Sequence, residues 1–387
     1  MNPLVEPGPA LDPARIARYS RQLALPGFGE VAQRRLGAAR VLLIGAGGLG
    51  SAVAPLLAGA GVGTIGLIDD DVVELSNLHR QLSHGVADVG RAKVDSLRDT
   101  IRALDPEIAV DVHRLRATSA TLPGILSSYD LLVDGSDNFA TRYLAADAAE
   151  LAGVPLVWGS ILRFQGQVGV SWPGRGPGYR DLFAAPPSDD EVLSCEIGGV
   201  LPSLCTAVGS FVATEAIKLL TGIGDPLLGR VLFYDALTAR TREIPYAVDE
   251  TRAPVTTLTD AAPRCTTGSD ASDGDGDDVP RVSAAELLRR VRAGEAVRLL
   301  DARGQDEAAL QHIPGDELLP LPSLLGGESP APGAAIVVYC AQGPRSLRAA
   351  RVLRERGFEA AYLAGGIRAY AELGGAVESG TVEGVPL

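Results

Sequence analysis

The chain has 387 residues, 46% of them hydrophobic and only 5% aromatic, a balance typical of an α/β protein large enough for two cores. Its formal net charge of −13 argues against a nucleic-acid partner, because binding to phosphates needs clustered Lys and Arg. No apolar run reaches the roughly 20 residues that span a bilayer, and residues 1–13 predict a flexible tail rather than a secretory signal. We therefore expect a cytoplasmic protein with no membrane segment and with reduced cysteines.

Up to about residue 250, strand-like apolar runs alternate with helix-like segments. The predicted strands are 40–44, 64–69, 108–113, 131–135 and 155–159, with two late strands within 229–246 that can pair as a hairpin. The predicted helices are 49–61, 93–104, 140–151 and 203–220. This alternation predicts a mostly parallel sheet covered on both faces, a Rossmann-like doubly wound α/β domain over 14–250.

A change of composition separates this region from the C-terminal part. Residues 251–280 contain the acidic, Gly-, Ser- and Asp-rich stretch "TTGSDASDGDGDDVP", which buries too little apolar surface to offset its ordering entropy and predicts a flexible linker. Residues 281–387 repeat the alternation on a smaller scale. Helices are predicted at 284–292 and 345–356, and strands at 297–300, 335–339 and 360–363. This predicts a second, smaller α/β domain.

The first candidate site is the turn "GAGGLG", residues 45–50, between a predicted strand and helix. Gly45, Gly47 and Gly48 would let phosphate approach the backbone at the helix N-terminus. Asp69 ends the second predicted strand, where a carboxylate usually accepts ribose hydroxyls. These features alone also fit an NAD-dependent oxidoreductase.

Cationic residues near this turn favour a triphosphate over a dinucleotide. Arg80 and Lys93 follow the second strand, and Arg21 lies in the N-terminal "RYSRQ". Guanidinium and ammonium groups of this kind stabilise the charge that develops during phosphoryl transfer. We therefore predict ATP as the nucleotide.

Asp137 and Asn138 follow the predicted strand 131–135, at the edge of the sheet where ligands bind. Asp137 is predicted to hold Mg²⁺, which needs one or two carboxylates besides phosphate oxygens and water. The competing interpretation is an N-cap for the next helix. A structural role of that kind is predicted for Asp134.

Several stretches resemble the activating enzymes of the MoeB/ThiF type, which adenylate sulfur carriers and are related to ubiquitin-activating enzymes. They are "RYSRQLALPGFG", "GAGGLG", "DDDVVELSNLHRQ", "VGRAKVDS", "DGSDNFATR" and "GGVLPSLCTAVGSFVATEAIKLLTG", and they lie within 14–245. The resemblance implies ATP and magnesium contacts from Gly48, Asp69, Ser76, Asn77, Arg80, Lys93, Asp137 and Asn138. It also implies a homodimer in which Arg21 reaches the partner's site. Asp71 or Asp70 would order the turn, although the role expected first for Asp70 is that of a solubilising surface charge.

Many of these enzymes hold a structural zinc on two C-x-x-C pairs, and this chain departs from that pattern. Gly178 and Asp181 stand at the first pair, and near the second only Cys265 is present. A closed zinc site needs four ligands. We therefore predict that the protein binds no zinc.

The second candidate site is Cys340, which follows an apolar strand and precedes a helix that begins near Arg345. Backbone N–H groups of the loop 340–345 and the cations that follow would favour an accessible thiolate. With "LLDAR", "HIPGDELLPL" and "YLAGGIRAY", residues 281–387 resemble a rhodanese sulfurtransferase domain. The resemblance implies a persulfide on Cys340 and a C-x-x-x-x-R loop closed by Arg345. Asp301, Arg303 and His312 are expected to stabilise the fold, and Tyr370 stands where Trp is common.

Together the two resemblances imply a bifunctional enzyme. It would adenylate the C-terminal Gly-Gly carboxylate of a ubiquitin-like sulfur carrier and convert it to a thiocarboxylate with sulfur from Cys340. Cys195 is a candidate for cleaving the intermediate, whereas Cys205 is expected in the core. An oxidoreductase fused to rhodanese and a non-catalytic carrier-binding scaffold remain the alternatives. The sequence leaves open the carrier, whether of the molybdopterin, cysteine or thiamine type, and the donor, whether thiosulfate or a desulfurase persulfide.

Overall fold

A computed structural model describes residues 3–186, 199–260 and 279–379. The described residues up to 260 form one compact unit, and those from 279 onward form a second. These two units correspond to the two α/β domains expected from the sequence.

The first unit is built on an eight-stranded sheet of order β3-β2-β1-β4-β5-β6-β7-β8. Its strands are β1 (Arg40–Ile44), β2 (Thr64–Ile68), β3 (Ala109–His113), β4 (Leu131–Asp134), β5 (Leu156–Leu162), β6 (Gln165–Ser171), β7 (Arg230–Asp235) and β8 (Arg240–Pro245). Strands β1 to β5 pair in parallel, and β6 to β8 add an antiparallel edge. The late strands form the predicted hairpin, whereas β6 was missed.

Helices cover both faces of this sheet. They are α1 (Pro13–Arg18), α2 (Ser20–Leu23), α3 (Gly29–Ala38), α4 (Gly50–Ala60), α5 (Lys93–Leu104), α6 (Leu122–Leu126), α7 (Phe139–Ala152), α8 (Tyr179–Leu182) and α9 (Pro202–Thr221). Along β1, Val41 and Leu43 join the core under α4, α5 and α9, while Leu42 and Ile44 join the core under α6 and α7. Successive strand residues point to opposite faces, so an unbroken apolar strand is buried on both sides.

The second unit is a five-stranded parallel sheet of order β11-β10-β12-β13-β9. Its strands are β9 (Arg281–Ser283), β10 (Arg298–Asp301), β11 (Glu317–Leu318), β12 (Ile336–Tyr339) and β13 (Ala360–Ala364). Its helices are α10 (Ala284–Arg292), α11 (Gln305–Leu310), α12 (Leu321–Leu325), α13 (Pro344–Glu355) and α14 (Gly366–Glu372). Apolar side chains form one core on each face of this sheet.

Helix α9 is long and apolar enough to cross a membrane by length and composition, with a mean hydropathy of 1.4 over its most apolar window. This differs from the expectation that the chain has no such run. However, 61% of that window is buried inside the protein, and the helix contributes Leu204, Val208 and Val212 to the first core. These contacts are typical of a core helix.

Two boundaries differ from the prediction. In the segment expected to be a flexible tail, the Leu4 N–H donates to the Leu219 carbonyl at 3.1 Å, and Leu4 and Val5 pack against the first core. In the segment expected to begin the linker, Arg252 pairs with Glu150 and Leu258 packs against the second core of the same unit. Apolar and ionic contacts therefore fix both segments. Residues 261–278 of the predicted linker lie outside the described residues, and Val279, near its end, is buried in a core of the second unit.

Candidate active sites

The glycine turn lies where the strand order reverses, between β1 and its two neighbours β2 and β4, which is the place where open α/β sheets bind ligands. Gly45 has a left-handed φ of 89°, and a Cβ there would lie 3.0 Å from the Gly135 carbonyl oxygen. A Cβ on Gly50 would lie 1.8 Å from the Gly45 carbonyl oxygen. Only glycine fits at these two positions, so the turn closes tightly against the end of β4.

Two side chains hold Ala46, the second residue of the turn. Its N–H donates to Asp69 Oδ2 at 2.7 Å, and His84 Nε2 lies 3.0 Å from its carbonyl oxygen. His84 Nδ1 lies 2.8 Å from Ser96 Oγ. Because a carbonyl only accepts, the neutral ring must carry its proton on Nε2 and accept from Ser96. Burial raises the pKa of Asp69 and lowers the pKa of His84.

Two of the predicted cations, Arg80 and Lys93, lie on the segment that follows β2. Lys93, the first residue of α5, is buried, and its Nζ lies 2.8 Å from Asp71 Oδ2. Arg80 Nη1 donates to the Ser76 carbonyl at 3.2 Å, and Asn77 Nδ2 donates to Ser76 Oγ at 3.3 Å. One short turn therefore links the predicted residues Ser76, Asn77 and Arg80.

Two of the predicted site residues are exposed and have no hydrogen-bond or ion-pair partner among the described residues: Asp137 and Arg21. Asn138 has a structural role as the N-cap of α7, because its Oδ1 accepts from the Thr141 N–H at 2.9 Å. The N-cap considered for Asp137 therefore belongs to its neighbour, and Asp137 remains available to a ligand.

Sequence reasoning missed a buried ion pair beneath the β4 loop. Arg142 Nε lies 3.3 Å from Asp134 Oδ2, and its Nη2 donates to the carbonyls of Ser136 and Gly159. Asp134 also accepts from the Ser136 N–H at 2.9 Å. This pair orients the loop that carries Asp137. The only sequence signal was the Arg at the end of "DGSDNFATR".

The chemistry of this crevice fits a nucleotide with many hydrogen-bonding atoms. Gln81 Oε1 and Ser136 Oγ are buried and have no partner among the described residues. Gln81 Nε2 would be 3.7 Å from a Cβ on Gly47, and Ser136 follows Gly135, which contacts the turn. Buried polar groups rarely remain unpaired, so these two atoms indicate that a polar ligand completes the site. Neither residue was predicted.

Asp181 occupies the position of one of the predicted family's zinc ligands, and both of its carboxylate oxygens accept hydrogen bonds from protein groups. Its Oδ1 accepts from Arg252 Nε at 2.9 Å, and its Oδ2 accepts from the Gly178 N–H at 2.6 Å. Within the described ranges, the one group of three close metal-binding side chains is Asp69, Asp70 and Asp71. Cys265 lies outside those ranges, and the absence of zinc stays a prediction.

In the second unit, Cys340 directly follows β12 and accepts a hydrogen bond from the Gly343 N–H at 3.1 Å from its Sγ. It was predicted to be accessible, but only 1% of its surface is exposed. The loop folds back over it because Gly343 adopts a φ of 128°. The carbonyl oxygen of Cys340 accepts from the Ile367 N–H at 2.9 Å. A Cβ on Gly366 would lie 2.4 Å from the same oxygen.

The arginine that closes this loop is itself paired. Arg345 Nη1 and Nη2 lie 2.7 and 2.9 Å from the two carboxylate oxygens of Glu307. Asp301 and Arg303 form a second pair, fully buried, at 2.6 Å, which agrees with the stabilising role expected for them. For His312 the backbone pairs with Glu378, and Tyr370 is buried.

The remaining cysteines have different positions. Cys205 lies in α9 and is fully buried, as expected, with its Sγ 3.0 Å from a Cβ built on Gly48. Cys205 therefore packs against the glycine turn. Cys195 lies outside the described residues.

Comparison with known families agrees with both units. The ThiF family matches residues 19–255, which is more than half of the chain, and the rhodanese-like domain matches residues 283–373. The chain belongs to the ThiF family. It carries a rhodanese-like domain after the ThiF domain, so the family resemblance and the fold inferred from the sequence are confirmed.

Two relatives named for both activities are similar over nearly the whole chain, and a third matches a shorter part of it. The probable adenylyltransferase/sulfurtransferase MoeZ of Mycobacterium tuberculosis is 47% identical over 382 residues, covering 96% of each chain. The adenylyltransferase and sulfurtransferase MOCS3 of Bos taurus is 38% identical, covering 90% of this chain and 83% of the relative. The sulfur carrier protein adenylyltransferase of Thermus thermophilus is 48% identical over 232 residues, covering 59% and 86%.

Solved structures support the fold of the first unit. The crystal structure of Escherichia coli MccB with ATP has a TM-score of 0.56 and 21% identity, covering 62% of this chain and 74% of that one. At this identity the likeness shows the fold alone.

Proposed function

We propose that this ThiF-family enzyme converts the C-terminal carboxylate of a ubiquitin-like sulfur carrier to a thiocarboxylate. The chain is an adenylyltransferase and a sulfurtransferase. The observation that carries the proposal is the occurrence, in one chain, of a glycine cradle flanked by Lys93 and Arg80 and of a loop folded around the thiol of Cys340. The adenylyltransferase relatives favour this function over an NAD-dependent oxidoreductase. The carrier as substrate follows from the similarity to the sulfur carrier protein adenylyltransferase of Thermus thermophilus.

In the first step, the carrier's Gly-Gly carboxylate attacks the α-phosphorus of ATP and pyrophosphate leaves, giving an acyl-adenylate. Gly45, Gly47 and Gly48 cradle the phosphates, and Asp69 faces the ribose. Ser76, Asn77, Arg80 and Lys93 bind the phosphates, with Asn138 beside them. Because Arg80 and Lys93 are cationic, they would stabilise the charge that develops on the leaving pyrophosphate.

Mg²⁺ would neutralise phosphate charge, and we assign it to Asp137. This carboxylate has no protein partner among the described residues. By contrast, both oxygens of Asp69 accept backbone N–H groups, and Asp71 pairs with Lys93. Asp137 is therefore the carboxylate best able to take a hard cation.

In the second step, the terminal sulfur of a Cys340 persulfide attacks the acyl carbon, and AMP leaves. The product is an acyl disulfide between the carrier and Cys340. A thiolate, for which we propose Cys195, then attacks Cys340 Sγ, releases the carrier thiocarboxylate and leaves a disulfide that an external dithiol reduces. Arg345 closes the loop around the reacting sulfur and interacts electrostatically with Cys340.

We further propose a cytoplasmic homodimer without a nucleic-acid or membrane partner. Arg21 would reach the ATP site of the partner protomer. Its side chain is exposed and has no partner among the described residues, so it is available to a second copy.

The test is ATP–pyrophosphate exchange with Mg²⁺ and carriers of the molybdopterin, cysteine and thiamine types, each with and without its terminal glycine. Exchange that depends on one carrier's intact Gly-Gly end would support the proposal and name the pathway. In single variants, Asp137→Ala should abolish exchange and retain persulfide formation, and Cys340→Ala should do the reverse. Exchange with none of the carriers, or loss of both activities in a folded Cys340→Ala protein, would contradict it.

A further inference from the structure

Two arginines near Cys340 are each paired with a carboxylate. Arg345 is held by Glu307 through two parallel hydrogen bonds of 2.7 and 2.9 Å, and Arg303 is held by Asp301 at 2.6 Å. The other loop residues, 341–344, have the sequence Ala-Gln-Gly-Pro and carry no charge. The charges of these two arginines and their two carboxylates therefore cancel.

Glu307 is a fixed part of this arrangement. It lies in α11, and its Oε2 also accepts from the Gly304 N–H at 3.3 Å. Desolvation of this half-buried carboxyl is outweighed by Arg345 and its neighbours, so its pKa lies below the usual value and the group stays charged. Arg345 in turn interacts electrostatically with Cys340. The charge of Glu307 thus acts on the reacting sulfur through Arg345.

Sulfur donors differ in the charge that they bring to this place. With thiosulfate, the Cys340 thiolate attacks the outer sulfur and sulfite leaves, and the reacting groups carry a total charge of −3 throughout. With a persulfide R–S–SH, the thiolate attacks the outer sulfur, R–S⁻ leaves, and the total charge is −1. Thiosulfate is a dianion, so its approach to the thiolate needs uncompensated cations that offset the repulsion. A persulfide R–S–SH does not need them.

We propose that Glu307 selects the sulfur donor: by neutralising Arg345 it disfavours small anionic donors such as thiosulfate and favours a cysteine persulfide carried by a protein. The inference rests on the sulfur transfer proposed above and names the class of its donor. The Nε–H of Arg345 is buried and has no partner within the described ranges.

The experiment compares kcat/KM for thiosulfate and for the persulfide of N-acetylcysteine amide, whose carrier is uncharged, with the full-length protein. In Glu307→Gln, kcat/KM for thiosulfate should rise at least about tenfold and become more sensitive to salt, while that for the persulfide changes less than about threefold. The ratio of the two values is independent of the fraction of folded protein, so a partly unfolded variant still gives an answer.

Two control variants accompany it. Glu307→Asp keeps the charge and should leave the donor ratio unchanged. Glu286→Gln removes a glutamate that pairs with Arg289 at 2.8 Å on α10 and should have no effect. If both donors lose activity in parallel in Glu307→Gln, this glutamate only positions Arg345 and the inference is wrong. Failure of wild-type protein to accept sulfur from either donor would instead contradict the proposed sulfur transfer itself.

Discussion

Asp69 and His84 hold opposite ends of one residue in the glycine turn. The Asp69 carboxylate accepts from the Ala46 N–H at 2.7 Å, and His84 Nε2 lies 3.0 Å from the Ala46 carbonyl. Both side chains come from the segment that follows β1 and α4 in the chain. The backbone that would face the phosphates is therefore oriented by side chains before a nucleotide binds, and its geometry depends on the protonation state of His84.

We expect His84→Gln to remove part of the acid sensitivity of the protein. Burial lowers the pKa of His84 below its ordinary value of 6.5, so the unfolded chain binds a proton that the folded chain does not. The stabilisation by neutral His84 is complete above pH about 6.5 and is lost as the pH falls below it, at most about 1.4 kcal/mol per pH unit. Urea unfolding of wild type and variant between pH 5 and 8 measures the difference.

Glutamine can still donate to the Ala46 carbonyl, so the variant should fold and retain adenylation. His79→Gln is the control, because this histidine is exposed. If the unfolding free energy changed with pH equally in wild type and His84→Gln, His84 would not be the source of the acid sensitivity.

Asp134→Ala should strongly destabilise the first domain. It leaves Arg142 buried without its carboxylate, and breaking a buried pair in this way costs about 3–5 kcal/mol. As a control, Asp225→Ala removes a carboxylate that is 86% exposed and pairs with Arg230 at 3.0 Å, and it should cost less than about 1 kcal/mol. Chemical unfolding gives both values. A loss below about 1 kcal/mol for Asp134→Ala would show that the pair is not needed for stability.

Asp137→Asn should raise the Mg²⁺ concentration that gives half-maximal pyrophosphate exchange by about tenfold or more, because it replaces a charged oxygen ligand with a neutral one. The control is Asp70→Asn, which removes an exposed carboxylate from the neighbouring acidic group and should leave this concentration unchanged. The opposite pattern, a shift in Asp70→Asn only, would move the cation to the group Asp69, Asp70 and Asp71.

Mixing two inactive variants tests the role of Arg21 in the partner's site. Arg21→Ala and Asp137→Ala are each expected to lose exchange. A mixed dimer would contain one site with both residues intact, so random reassociation should restore about a quarter of wild-type activity. The control is the double variant, which carries Arg21→Ala and Asp137→Ala in one chain and is taken through the same dissociation and reassociation. Recovery no greater than in this control would indicate that Arg21 acts within its own chain, and full exchange by Arg21→Ala alone would show that it is not required.

Much of the candidate site could be located in the sequence because its signals are local. The glycine turn, Asp69 and the Cys340 loop each follow an apolar strand, and parallel strands place their carboxyl ends at one edge of a sheet. Strand β6 was missed because its residues, "QGQVGVS", contain two glycines and two glutamines. It forms by antiparallel pairing with β5 and β7, which supplies the stability that its own composition lacks.

The sequence by itself determined the two α/β domains, their order, and the residue types brought to the ATP and sulfur sites, because helix and strand periodicity and strand-to-helix turns are short-range properties. Only the tertiary structure decided which polar groups are paired. The links His84–Ala46, Asp134–Arg142 and Glu307–Arg345 join residues 38, 8 and 38 positions apart. Such pairs form because folding removes water from these groups and each must find a partner, a requirement that local sequence patterns do not contain.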